Sequence, residues 1–122
     1  MGPTRAIRIA LLVLLCLAPP LAAHGHAIVV ESVPRPGVTV SEQALAVVIR
    51  FSSRIDRARS HLTLIAGDGK ERSLALTAES APDLLRAEAT GLMPGAYRLR
   101  WQVLALDGHI TRGDIPFTVI AP

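Results

Sequence analysis

The stretch of this chain best suited to chemistry is Asp107-Gly108-His109. On an extended segment, residues i and i+2 project to the same side, about 6.5–7 Å apart along the backbone. The carboxylate and the imidazole can therefore converge on one ion, with Gly108 allowing the bend. By itself an Asp-x-His in a loop is most often a turn with solvated side chains. Its weight comes from His26, which stands where a leader peptide would be cut away. A histidine at a free N-terminus offers its α-amine and its ring to a single metal as one chelate. The donors are then amine, imidazole, carboxylate and imidazole. Three nitrogens and one oxygen in a roughly square set suit Cu(II), which also heads the divalent affinity order. Cu(I) would want sulfur, and Met93 lies in a turn beside Pro94 with no second methionine beyond the leader to partner it.

The cut itself is inferred from residues 1–25. Arg5 and Arg8 make a basic start, Ile9 to Leu17 an apolar run, Pro19-Pro20 a break, and Ala22, Ala23 and Gly25 supply small residues. This is the layout of a secretory signal peptide, expected to be helical over about residues 5–17. The apolar run is too short for a bilayer core that takes about 20 residues. Leu15 stands where a lipoprotein signal needs a small residue, so Cys16 reads as filler. Small residues at Ala23 and Gly25 start the mature chain at His26; cleavage after Ala23 would start it His24-Gly25-His26.

Removing the leader changes the charge argument. The full chain has 122 residues, 13 Lys and Arg, 10 Asp and Glu, and a net charge of +3. Setting Arg5 and Arg8 aside leaves eleven cations against ten anions, with no basic cluster interleaved with aromatics. Nucleic acid is excluded as a partner on that ground. The single cysteine goes with the leader, which removes disulfides, Cys-type zinc sites and iron–sulfur clusters. Half of the residues are hydrophobic and mean hydropathy is +0.39, which excludes a charged, disordered chain. Nothing in residues 26–122 reads as a membrane span, and their number suits one modest core.

The elements that must position these donors read as strands. Alternating or β-rich runs occur at Ala27 to Ser32, Ala44 to Phe51, His61 to Ile65, Ser73 to Thr77, Leu84 to Ala89, Ala96 to Val103 and Ile115 to Ile120. Turns fall at Pro34 to Gly37, at Gly67-Asp68-Gly69-Lys70 and at Gly91 to Gly95. About seven short strands at this spacing predict an all-β sandwich. Ile55 to Ser60 reads as a helical turn at most. Pro116 implies an edge or a bulge. His61 heads a strand as a surface residue, and Trp101 reads as core.

Three stretches together resemble the CopC family. His26 through Gly37 is similar to its mature start, a leading His followed by Ser-x-Pro and Gly, here Ser32, Pro34 and Gly37. Gly95, Tyr97 and Trp101 match its Gly-x-Tyr-x-x-x-Trp strand. Asp107, His109, Gly113 and Phe117 match its Asp-x-His-x-x-x-Gly-x-x-x-Phe ending. The resemblance covers residues 26–122. It implies a Greek-key β-sandwich of immunoglobulin-like and cupredoxin-like kind, and a periplasmic copper carrier. One Cu(II) would be held by His26, Asp107 and His109, and His26 rather than His24 would be the mature first residue. Some members carry a Met-rich loop for Cu(I); the matching stretch here, Leu62 to Thr77, has no methionine, which implies a Cu(II)-only protein.

A non-catalytic copper carrier or buffer is therefore the expected function, in copper resistance or uptake. The family also implies a CopD-like inner-membrane copper transporter as a separate chain. Two other functions fit parts of the sequence. A copper oxygenase with an N-terminal histidine brace would need the position that Asp107 would fill. It would also need a flat aromatic platform, which Phe51, Tyr97, Trp101 and Phe117 do not offer from core faces. A metal-free immunoglobulin-like accessory domain leaves the pairing of His26 with Asp-x-His unexplained.

Overall fold

Period-two alternation of apolar residues puts one face of each strand inward, and the chain folds as two sheets closed over those faces. The computed structural model describes residues 26–78 and 81–122; the leader expected at 1–25, with its helix, lies outside them. The strands are β1 (Val29–Val33), β2 (Val38–Val40), β3 (Leu45–Phe51), β4 (Ile55–Ala66), β5 (Glu71–Ser73), β6 (Leu84–Ala89), β7 (Gly95–Ala105) and β8 (Ile110–Val119). One sheet has the order β1-β3-β6 and the other β2-β8-β7-β4-β5. All pairs are antiparallel except β2 with β8. The links β3–β4, β5–β6 and β6–β7 each change sheet, the crossed connections of a Greek-key sandwich. The all-β expectation holds among the described residues, with eight strands in place of about seven.

The core forms where the inward faces meet. Val47, Ile49 and Phe51 of β3 oppose Leu99, Trp101 and Val103 of β7 and Ile115, Phe117 and Val119 of β8, all buried. Phe51 and Trp101 meet edge to face across the gap, ring centroids 5.2 Å apart at 70°, a favoured aromatic geometry. Trp101 is core, as its alternation predicts.

Four local expectations are corrected. Residues 55–60 are strand: Ile55 pairs with Ala105 and Asp56 with Leu104 before the register slips. Residues 57–60 then face Val103 alone, a wide bulge between Asp56 and His61. The Ser60 hydroxyl bridges it, donating to the Asp56 carbonyl at 2.6 Å and accepting the Leu104 N–H at 3.4 Å. That side chain does the work of a missing ladder bond, and no helix-like pattern is needed. The run predicted at Ser73 to Thr77 divides. Its strand, β5, ends at Ser73, and the chain then crosses to the other sheet, where Leu76 bridges Ala87. β8 starts at Ile110, five residues before the alternation became legible. β2 carries too few residues to show a period. Pro116 lies in a strand flanked on both sides, between β2 and β7. Its carbonyl accepts the Gly37 N–H at 2.7 Å, so its own nitrogen faces the flank where β2 has not yet begun and no ladder bond is lost.

Gly113 stands opposite Trp101 in the β7–β8 ladder. A Cβ placed there would meet Trp101 Cζ2 at 2.7 Å and Cε2 at 2.9 Å. The indole is rigid and buried, so it cannot swing aside. Gly113→Ala is therefore expected to destabilise the fold by about 1–3 kcal/mol through overpacking, read as a lower midpoint in urea with Trp101 fluorescence as the probe.

Candidate metal centre

The β7–β8 hairpin ends in a turn whose backbone is set by one glycine. The Gly108 N–H donates to the Ala105 carbonyl and the Ala105 N–H to the His109 carbonyl, both at 2.9 Å. Gly108 has φ 89°, the left-handed residue of a type I turn closed by a glycine bulge. Asp107 sits before that glycine and folds its side chain back over the turn. Its Oδ1 accepts the His109 backbone N–H at 3.0 Å, and its Oδ2 lies 2.9 Å from His109 Nδ1. These bonds, the backbone one first, hold the Asp107 carboxyl below its ordinary range. The carboxylate and imidazole read from the sequence do converge, by direct contact.

His26 reaches them from the far end of the sequence. Ala27 is fully buried and acts as the wedge; its carbonyl accepts the Thr111 hydroxyl of β8 at 2.7 Å. On the other side Ser52, just past β3, forms a small clamp. Its N–H donates to the Ile28 carbonyl at 2.8 Å, its Oγ accepts the Ile28 N–H at 3.1 Å, and its hydroxyl reaches the His26 carbonyl at 3.4 Å. Held between β3 and β8, the segment places the His26 ring against His109, centroids 4.6 Å apart at 59°. All three expected residues are exposed, at one end of the sandwich.

The other chemical candidates are not there. His61 is exposed on β4 opposite Gln102. Met93 precedes β7 and Asp107 follows it, and eleven strand residues put them roughly 35 Å apart. Among the described residues, no three His, Cys, Asp or Glu side chains form a ready-made metal cage. His109 Nδ1 lies against Asp107 Oδ2. The donor types, two adjacent imidazoles and a carboxylate, to which a chain beginning at His26 would add an amine, fit a nitrogen-preferring divalent ion.

Ser52 and Thr111 have no signal in the sequence, because a lone hydroxyl in or beside a strand looks like any solvated residue. Other residues of the quoted motifs turn out to be structural. The Ser32 hydroxyl is buried and donates to the Pro34 carbonyl at 2.9 Å, closing the corner after β1. Gly113 seats Trp101, and Phe117 stacks on Tyr97 at 5.5 Å. Thr111→Val, which keeps the shape and removes the tether, is expected to cost about 1 kcal/mol of stability. It should also weaken the proton–proton NOEs between the His26 and His109 rings; undiminished NOEs would show that Ser52 alone suffices.

A family model described as the CopC domain matches residues 29–120, which includes Asp107 and His109 and begins just after His26. Protein YobA of Escherichia coli K12 is 29% identical over 121 residues, covering 94% of this chain and 95% of that one. Among solved structures, CopC from Methylosinus trichosporium OB3b superposes with a TM-score of 0.71 at 27% identity, over 79% of this chain and 95% of that one. PcoC, a methionine-rich copper resistance protein from Escherichia coli, gives 0.64 at 22% identity over 78% and 99%, a likeness of fold. With the family model spanning most of the sandwich and the motif residues found in its core and at its tip, the chain belongs to the CopC family.

Proposed function

We propose that this protein is a periplasmic Cu(II) carrier or buffer, exported by the leader 1–25 and working as the single domain 26–122. One Cu(II) is held at the end of the sandwich by His26, Asp107 and His109. The observation that carries this reading is the meeting of the His26 and His109 rings at 4.6 Å, with Asp107 bound to His109. Residues far apart in sequence are drawn together there by a buried alanine and two hydroxyls, while all three donors stay open to solvent. Membership of the CopC family and the likeness to a solved CopC support copper as the ion. The exposed setting suits a metal that is handed on, and no catalysis is assigned to it. The natural recipient or donor is an inner-membrane copper transporter on a separate chain. PcoC is methionine rich, whereas the single methionine of this chain beyond the leader lies at the opposite end of β7. The site is accordingly assigned to Cu(II) and not Cu(I).

The amine is the donor that processing creates. A form beginning at His26 should bind one Cu(II) and a form with one extra Met in front should bind at least about tenfold more weakly, or 1.4 kcal/mol. The fold should be unchanged, since a terminus adds little to the core. Equal binding by both forms would remove the amine from the site. His109→Ala should likewise weaken binding, and His61→Ala should leave it unchanged. The mature protein should show no copper- and peroxide-dependent turnover; such turnover would favour an oxygenase.

Amine and imidazole nitrogens ligate only without their protons, so acidification competes with the ion. Cu(II) affinity is expected to fall steadily from about pH 7 to about pH 5 in competition titrations. A flat profile would rule out this nitrogen set.

A further inference from the structure

Around the three donors the end of the sandwich is apolar. Leu106 is 66% exposed and Ile110 55%, and they bracket Asp107 and His109 in the chain. Ile110 also stands opposite half-buried Leu104, on the outer face of β7 and β8. Ile28, 59% exposed, follows His26 by two residues and is held at the same end by Ser52. Single aliphatic residues on a surface are ordinary; here a large one stands beside every proposed ligand. Cations outnumber acids at this end among the described residues, with Arg54, Arg57, Arg59 and Arg112 against Asp56, Asp83 and Asp107. Asp56 faces Arg59 at 3.8 Å and Asp107 lies against His109. Arg54 is exposed in the β3–β4 turn, just before Ile55, the partner of Ala105. Arg112, also exposed, lies two residues behind Ile110 on the same face of β8.

We propose that this end of the protein is a membrane-docking tip: Ile28, Leu106 and Ile110 enter the boundary of an anionic bilayer, with Arg54 and Arg112 among the headgroups behind them. Aliphatic side chains foremost and cations one or two residues back make an interfacial contact, in which apolar burial and attraction to anionic lipid add. The long arginine stems let the charge stay with the headgroups while their apolar neighbours go deeper. The leader inferred at 1–25 leaves the fold at this same end. Eight residues separate Leu17 from His26 and span no more than about 30 Å. Before cleavage, the tip is therefore the part of the domain kept beside the bilayer. The docking stands on the surface alone; its use rests on the copper reading above, which it deepens. A carrier docked tip-first presents its ion in the plane where a membrane transporter lies.

The test is flotation of the metal-free form beginning at His26 with two kinds of vesicle. It should bind vesicles of phosphatidylethanolamine and phosphatidylglycerol, and bind pure phosphatidylcholine at least about tenfold more weakly. Leu106→Ser combined with Ile110→Ser should lower binding to both kinds by at least about tenfold. Arg54→Gln and Arg112→Gln should each lower binding to the anionic vesicles alone, by about fivefold. Met93→Ser, 68% exposed at the opposite end of β7, should change neither. All these side chains are exposed, so the urea midpoint read from Trp101 should hold throughout. In a copper arm without lipid, the double serine variant should take up Cu(II) as the wild type does. No flotation with either vesicle, an undiminished double serine variant, or an equal loss in Met93→Ser overturns the proposal. Self-association without vesicles that the double serine variant abolishes assigns the tip to a second copy and overturns it too. No Cu(II) uptake by a wild type that floats overturns the copper reading, and with it the tip's use in copper transfer, but not the docking.

Discussion

Opposite each inward side chain of β7 stands a residue of β8 set by a single register: Tyr97 by Phe117, Leu99 by Ile115, Trp101 by Gly113, Val103 by Thr111. In an antiparallel pair, a slip of one residue turns every one of these to the other face. The pairing of Trp101 with Gly113 resists such a slip, since any larger residue under the indole would collide with it. The same register decides the site. It places Asp107 and His109 in the turn and aims Thr111 inward, where its hydroxyl meets the Ala27 carbonyl. The core and the tip that carries Asp107 and His109 are therefore two ends of one constraint.

The proposed donors themselves contribute almost nothing to the core. They sit on a turn and a chain end, exposed, while the residues that hold their backbones are buried or hydrogen-bonded. This division has a physical advantage for a carrier. Buried donors would have to be hydrogen-bonded or neutralised in the empty protein, and a closed cage would release its ion slowly. Exposed side chains on a backbone held by hydrogen bonds keep the proposed donors close together without the cost of burying them. The Asp107–His109 contact holds the His109 ring against the turn.

Much of what marks the chain as a CopC protein concerns folding and not metal. Ser32 closes a corner by bonding the Pro34 carbonyl, Gly113 makes room for an indole, and Tyr97 and Phe117 stack inside the sandwich. The bulge in β4, bridged by Ser60, lets a long strand pass the same sheet edge without losing its polar partners. Arg57 reaches from that bulge to the carbonyls of Ala81 and Leu84 in the neighbouring segment. The bulge and Arg57 lie toward the end of the sandwich that carries Asp107 and His109, since Ile55 and Asp56 pair with Ala105 and Leu104.

Strands whose faces differ in polarity were readable from residue order alone, because period two is a local property: β3, β6 and the heart of β7 fall where alternation put them. So were the hairpin at Gly67 to Lys70, the burial of Trp101 and the exposure of His61. The donor types were readable too, since His and Asp-x-His are chemistry before they are structure. What residue order could not supply was anything carried by a distant partner. The strand character of residues 55–60 comes from pairing with β7, and β2 exists because β8 lies beside it. The clamp of Ser52 and Thr111 on residues 26–28 joins three separate parts of the chain. The contact of Asp107 with His109 depends on a turn closed by bonds between β7 and β8. Local pattern determined which residues could ligate and which faces turn inward. Only the closed sandwich decided that His26 meets His109, because that meeting is made of hydrogen bonds between segments that share no local pattern.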